Sequence, residues 1–64
     1  MKIKEVLRML KDDGWYEARQ KGSHKQFKHP HKKGLVTIAF HQLSDEVKRG
    51  TLKSILSQAQ IEEQ

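Results

Sequence analysis

The stretch WYEARQKGSHKQFKH, residues Trp15–His29, decides the fold, because two strand-like segments flank Gly22-Ser23 within it. A two-residue loop with glycine first is typical of a type II′ hairpin turn, whose twist matches that of the flanking strands. We therefore predict strands over Trp15–Lys21 and His24–His29. The β-branched and apolar residues of Leu35–His41 predict a third strand.

Apolar residues recur with helical spacing at both ends of the chain. The first set predicts a helix over residues 3–12, ended by Gly14 as a left-handed cap. The second set predicts a helix over residues 48–59. The two apolar stripes are Ile3, Val6, Leu7 and Leu10, and Leu52, Ile55, Leu56 and Ala59. The sequence therefore predicts an α+β fold of order α-β-β-β-α, with a three-stranded antiparallel sheet and both helices packed on one face.

The net charge of +5 is concentrated in the middle of the chain. Residues 1–17 and 45–64 are close to neutral, whereas residues 18–44 contain six lysines and arginines, no acidic residue and all four histidines. A basic patch of this kind is typical of a protein that binds a polyanion. A lysine-rich surface that is merely solvated is the alternative.

Length and composition exclude several classes of protein. The 64 residues allow one domain, residues 1–64, with a thin core and a shallow site suited to a large substrate or a protein partner. No cysteine is present, so neither a disulfide framework nor a thiolate metal site is expected. No apolar run is long enough for a signal peptide or a membrane span, and we expect a cytoplasmic protein.

The hairpin turn also predicts which residues of the first two strands share a face. It pairs Lys21 with His24, Arg19 with Gln26, and Glu17 with Lys28. Tyr16, Ala18, Phe27 and His29 fall on the other face. Because Phe27 belongs under the helices, we expect the basic side to face solvent.

The third strand extends this prediction. Val36, Ile38 and Phe40 should face the helices, and pairing Phe27 with Ile38 keeps both inside. The same register places His24 opposite His41 on the open face.

Two histidines beside basic residues are suited to the cleavage of RNA. RNA carries its own nucleophile, the 2′-OH, and cleavage needs a base, an acid and cations. Histidine titrates near neutrality and serves as general base or general acid. Lysine and arginine stabilise the charge that develops on the phosphate. His24 is therefore the first candidate for proton transfer and His41 the second. The candidate phosphate-binding residues are Arg19, Lys21, Lys25 and Lys28.

Each of these residues also has a plainer interpretation. His24 is also explained as a residue of the hairpin that has no chemical role. His41 is also explained as a polar residue at the end of a strand. We expect His29 to pack or cap at the end of the sheet and His31 to be a solvated loop residue. A metal site is not expected, since the histidine-rich stretch lacks the carboxylate or cysteine that usually completes a ligand set. For the pair Trp15-Tyr16, a place in the core is favoured over stacking on bases.

GWYEARQKGSHKQFKHPHKKGLVTIAFH (residues 14–41), followed by GTLKSILSQAQI (residues 50–61), resembles the HicA toxin family of HicA–HicB toxin–antitoxin systems. The resemblance implies a fold like that of a double-stranded-RNA-binding domain and a metal-independent mRNA interferase, an endoribonuclease that halts translation without a cofactor. It aligns His24 with the family's catalytic histidine. It also implies a HicB-type antitoxin as partner, with DNA contacted only indirectly through that antitoxin.

A module of the same fold that binds RNA or a protein without catalysis is the alternative. Incubation of the purified protein with a long RNA in EDTA distinguishes the two, since only a nuclease degrades the RNA.

Overall fold

The computed structural model describes residues 1–62 and has the predicted order of elements. These are α1 (Ile3–Asp13), β1 (Tyr16–Lys21), β2 (His24–Lys28), β3 (Val36–Ala39) and α2 (Arg49–Ala59). The strands form one antiparallel sheet in the order β1-β2-β3, which confirms the predicted α+β fold. No helix in this part of the chain is long and apolar enough to cross a membrane.

Both helices pack on one face of the sheet and close a single apolar core. The core residues are Ile3, Val6 and Leu10 of α1, Phe27, Val36 and Ile38 of the sheet, Ile55 and Ala59 of α2, and Trp15 and Val47. Trp15 is only 2% exposed, and its indole N–H donates to the carbonyl oxygen of Ala59 at 3.2 Å. Trp15 therefore connects the end of α1 to the end of α2 through the core, which confirms its predicted burial.

The β1–β2 hairpin forms at the predicted turn. Lys21 pairs with His24, and Arg19 pairs with Gln26. Gly22 has the positive φ (59°) that a type II′ turn requires at its first loop position, which glycine adopts without steric cost.

The hairpin departs from the prediction at a β-bulge between Glu17 and Arg19. Glu17 pairs with Phe27 instead of Lys28, and Tyr16 pairs with Lys28. A bulge inserts one residue into one strand and so reverses the alternation of side chains beyond it. The predicted faces of Tyr16 and Glu17 were therefore wrong: Tyr16 lies on the open face, and Glu17 lies on the side of the helices.

The predicted register of β3 was also wrong, by two residues. Phe27 pairs with Val36, and His24 pairs with Ala39 rather than His41. Because side chains alternate with a period of two, a shift of two residues leaves every residue on its predicted face. Val36 is fully buried in this register, so Phe27 meets the deepest apolar residue of β3.

Candidate active site and nucleic-acid interface

The open face of the sheet carries Arg19, Lys21 and Lys28, three of the four basic residues predicted to contact RNA. A shallow depression there is lined by Arg19, Lys21, His24, Gln26 and Thr37. These residues come from all three strands, so the hairpin and the β2–β3 register together assemble the depression. The open face carries no carboxylate from residues 18–44, and it is suited to an anionic ligand.

His24 lies in the first position of β2, immediately after the turn. Its side chain is exposed, with Lys21 on one neighbouring strand and Ala39 on the other. Within residues 1–62 no hydrogen bond to either ring nitrogen is formed, so both nitrogens are open to a ligand. A methyl group at Ala39 also leaves room above the sheet on that side.

His41 does not join His24 in this depression. β3 ends at Ala39, and the Phe40 N–H donates to the carbonyl oxygen of Ser23 at 3.0 Å. Beyond this point His41 is exposed beside the hairpin turn, where it lines a second shallow depression with Gly22 and Ser23. The predicted pairing of the two histidines across the sheet is therefore incorrect, because the strand ends two residues before His41.

Lys25 and Lys28 lie on opposite sides of β2. Lys28 is exposed on the open face, opposite Tyr16. Lys25 lies on the other face of β2, the face toward the helices. Its ammonium group lies 3.6 Å from the Glu17 carboxylate and 5.6 Å from the centre of the Phe40 ring. A carboxylate partner and an aromatic ring thus hold Lys25 away from the open face.

His29 is held in a network at the end of the sheet. Its Nε2–H donates to the carbonyl oxygen of Asp13 at 2.7 Å, and its Nδ1 accepts the backbone N–H groups of His31 and Lys32 at 3.0 and 3.1 Å. The ring also packs edge-on against Trp15, with centroids 5.2 Å apart. These contacts use both nitrogens and confirm the predicted capping role. His31 is exposed, as predicted for a loop residue.

A lysine ties the two helix ends to the same network. The Lys32 ammonium donates to the Asp13 carboxylate. It also donates to the carbonyl oxygen of Ala59 at 3.3 Å and to that of Gln60 at 3.0 Å. The hydrogen bond from Lys32 is the main reason that the pKa of Asp13 lies below its ordinary value. Cations near helix C-termini are favourable because the last carbonyl groups carry partial negative charge.

A metal site has no obvious ligands in the described part of the chain. Within residues 1–62, no group of three or more histidine, cysteine, aspartate or glutamate side chains is arranged to hold an ion.

The fold defines this chain as an α+β protein like a double-stranded-RNA-binding domain, with a basic open face and an exposed histidine. Residues 3–61 match the family model described as the HicA toxin of bacterial toxin–antitoxin systems. Because this match spans nearly the whole sequence, the chain belongs to the HicA toxin family. No curated protein matched the chain in a sequence search.

Proposed function

We propose that this protein is the toxin of a type II toxin–antitoxin pair and acts as a metal-independent endoribonuclease on mRNA, which would inhibit translation. The observation that carries the proposal is the position of His24. It is exposed, it has no hydrogen-bond partner within residues 1–62, and it stands beside Lys21 on a basic face. Membership of a toxin family supports the same function.

The chemistry proposed is attack by the RNA's own 2′-OH on the adjacent phosphorus. The 2′ oxygen loses its proton to a base as the new O–P bond forms. The bond to the 5′ oxygen then breaks, and this leaving oxygen takes a proton from an acid. The products are a 2′,3′-cyclic phosphate and a free 5′-OH. His24 performs one of the two proton transfers, a role for which an imidazole is suited near neutral pH.

The surrounding cations complete the proposed site. Lys21 and Arg19 share the depression with His24, and they stabilise the charge that develops on the phosphate oxygens. Lys28 binds the backbone further along the open face. Lys25 contributes only after its ion pair with Glu17 opens, since that pair now faces the helices.

His41 is the second proton-transfer candidate. It lies just beyond β3, beside the turn that precedes His24. Movement of the segment after Ala39 would be needed to bring it to the same phosphate.

The partner proposed is a HicB-type antitoxin that covers the basic face. We propose that residues 1–64 form one cytoplasmic domain and that DNA is contacted only through the antitoxin. An acidic antitoxin surface would complement Arg19, Lys21 and Lys28 on the open face.

The test is cleavage of a long RNA by the purified protein in EDTA, with His24→Ala and His31→Ala compared at equal concentration. We expect wild type and His31→Ala to cleave, and His24→Ala to lose about 10²- to 10⁴-fold in rate, as general acid–base catalysis predicts. His31 is the matched control because it is an exposed histidine away from the depression. Intact RNA with the wild type would refute the nuclease, and equal cleavage by His24→Ala would remove His24 from the mechanism.

A non-catalytic RNA-binding module is the second candidate, favoured by the separation of His41 from His24. It predicts RNA binding that weakens steeply with salt, as counterion release requires, and no cleavage.

A further inference from the structure

The β-bulge in β1 changes what the open face presents to a ligand. Without it, strict alternation would place the Glu17 carboxylate on that face opposite Lys28. With it, Tyr16 takes this place opposite Lys28, and Glu17 pairs with Phe27 on the other side. One inserted residue therefore removes an anion from the basic face and adds an aromatic ring.

Tyr16 is free of any role in the core. The residue is 52% exposed, whereas the adjacent Trp15 is 2% exposed and fills the core position. All six residues of β1 are exposed, and Tyr16 also borders a shallow depression that Leu7 and Lys11 of α1 line from the other side.

The surroundings of Tyr16 are cationic. Lys28 lies directly across the ladder, and Arg19 is the next residue of β1 on the same face. The nearest carboxylate along the strand, Glu17, is engaged with Lys25 on the opposite side of the sheet. An exposed aromatic ring between cations, on a face without acidic residues, is the arrangement with which proteins bind single-stranded nucleic acid.

We propose that Tyr16 is a stacking subsite for one unpaired base of single-stranded RNA, on the same face as His24. Every base has a π-face, so the ring accepts any base, while Lys28 and Arg19 hold the flanking phosphates. A base within an A-form duplex is stacked between its neighbours, and its face is not accessible to the ring. The subsite therefore favours loops and unpaired stretches over helices.

The position of the subsite relative to His24 follows from the strand. Lys28, which is paired with Tyr16, is four residues from His24, or about 13 Å at the rise of a β-strand. This distance corresponds to roughly four nucleotides of a stacked strand at 3.4 Å each, and to fewer of an extended one. The placement of the subsite relative to the cleaved bond rests on the proposed nuclease function, whereas the stacking itself does not.

The experiment uses short single-stranded RNAs that carry 2-aminopurine at successive positions, bound to His24→Ala protein so that the RNA stays intact. Stacking quenches the fluorescence of this base analogue. Tyr16→Phe and Tyr16→Val are introduced into the same background: phenylalanine keeps the ring, and valine keeps the strand propensity without it. Circular dichroism melting shows whether each variant is folded.

We expect quenching at one base position with Tyr16 and with Tyr16→Phe, and its loss with Tyr16→Val. Tyr16→Val should weaken binding about 5- to 150-fold, the range of base–aromatic stacking. Its salt dependence should not change, whereas Lys28→Met should lower the slope of log affinity against log salt by about 1. Equal quenching and affinity in folded Tyr16→Val would overturn the subsite.

The two proposals fail separately. Absence of RNA cleavage by the wild type would refute the nuclease and leave the quenching result unchanged. When the wild type cleaves, a Tyr16-dependent base more than about four nucleotides from the cleaved bond would contradict the placement on this face.

Discussion

His24 and His29 lie five positions apart in one short segment, on opposite faces of the sheet. His29 uses both ring nitrogens in hydrogen bonds to the backbone at the end of α1 and in the loop after β2. His24 is exposed, and it shares a shallow depression with Arg19 and Lys21. The comparison shows that the same side chain stabilises the fold where its nitrogens are satisfied, and is available for chemistry where they are not.

The largest expected effect on stability comes from Gly14, which the His29 network requires. Gly14 has φ 106°, and a Cβ there would lie 2.7 Å from Nε2 of His29. We expect Gly14→Ala to lower the free energy of unfolding by about 2–4 kcal/mol, from backbone strain and the disrupted hydrogen bond. Equilibrium unfolding in urea measures this change in the free energy of unfolding.

Gly34→Ala is the matched control for this prediction. Gly34 also has a positive φ, 89°, but a Cβ there would meet no atom within 4 Å. Its cost should be strain alone, about 1–2 kcal/mol. Equal costs at the two glycines would show that contact with His29 is unimportant.

A smaller effect is expected when the ring of His29 is kept and its nitrogens are removed. His29→Phe preserves an aromatic ring beside Trp15 but leaves two backbone N–H groups and the Asp13 carbonyl without their partner. We expect about 1–3 kcal/mol of destabilisation. RNA cleavage measured well below the melting temperature should remain close to that of the wild type. Loss of cleavage by a folded His29→Phe would contradict the division between the two histidines.

The smallest effect is expected at Asp13, and it depends on pH. Because Lys32 lowers the pKa of Asp13 below its ordinary value of 3.8, its carboxylate contributes stability above that pH, and the contribution is lost as pH falls through the lowered pKa. Both side chains are partly exposed, so Asp13→Asn should cost at most about 1 kcal/mol at pH 7.

Melting curves of wild type and Asp13→Asn over pH 2–7 test this effect. The difference in melting temperature should be present at pH 7 and should disappear in acid. A difference that stays constant across this range would show that the charge of Asp13 has no part in it.

Much of the fold was predictable because local signals agreed with one another. The turn at Gly22-Ser23, the two apolar helical stripes and the cap at Gly14 each depend on neighbouring residues only. The exposure of His24 was predicted because side chains along β2 alternate between the two faces and Phe27 must face the helices. A shift of two residues in the pairing of β2 with β3 does not change these faces. The placement of His24 beside Lys21 and Arg19 on the open face was therefore predictable without a structure.

The bulge was not predicted, although two of the predictions made from the sequence were inconsistent with a regular first strand. A place in the core was favoured for both Trp15 and Tyr16, yet adjacent residues of a regular strand lie on opposite faces. The two expectations could not both hold in one regular strand. The position of the bulge decides the face of Tyr16, and local patterns do not reveal that position.

The place of His41 was missed for a different reason. The apolar character of Phe40 suggested a longer third strand, but β3 ends at Ala39, and the next contact is to the turn at Ser23. The end of a strand depends on where its neighbour ends, and β2 begins only at His24.

The most direct test of the division between the two faces is NMR of the histidine ring nitrogens in the wild-type protein. Spectra are recorded before and after addition of a 2′-O-methylated single-stranded RNA, which lacks the attacking hydroxyl. We predict that the signals of His24 shift on binding, while those of His29, whose two ring nitrogens are hydrogen-bonded to the backbone, do not shift. Shifts at His29 with His24 unchanged would contradict the account.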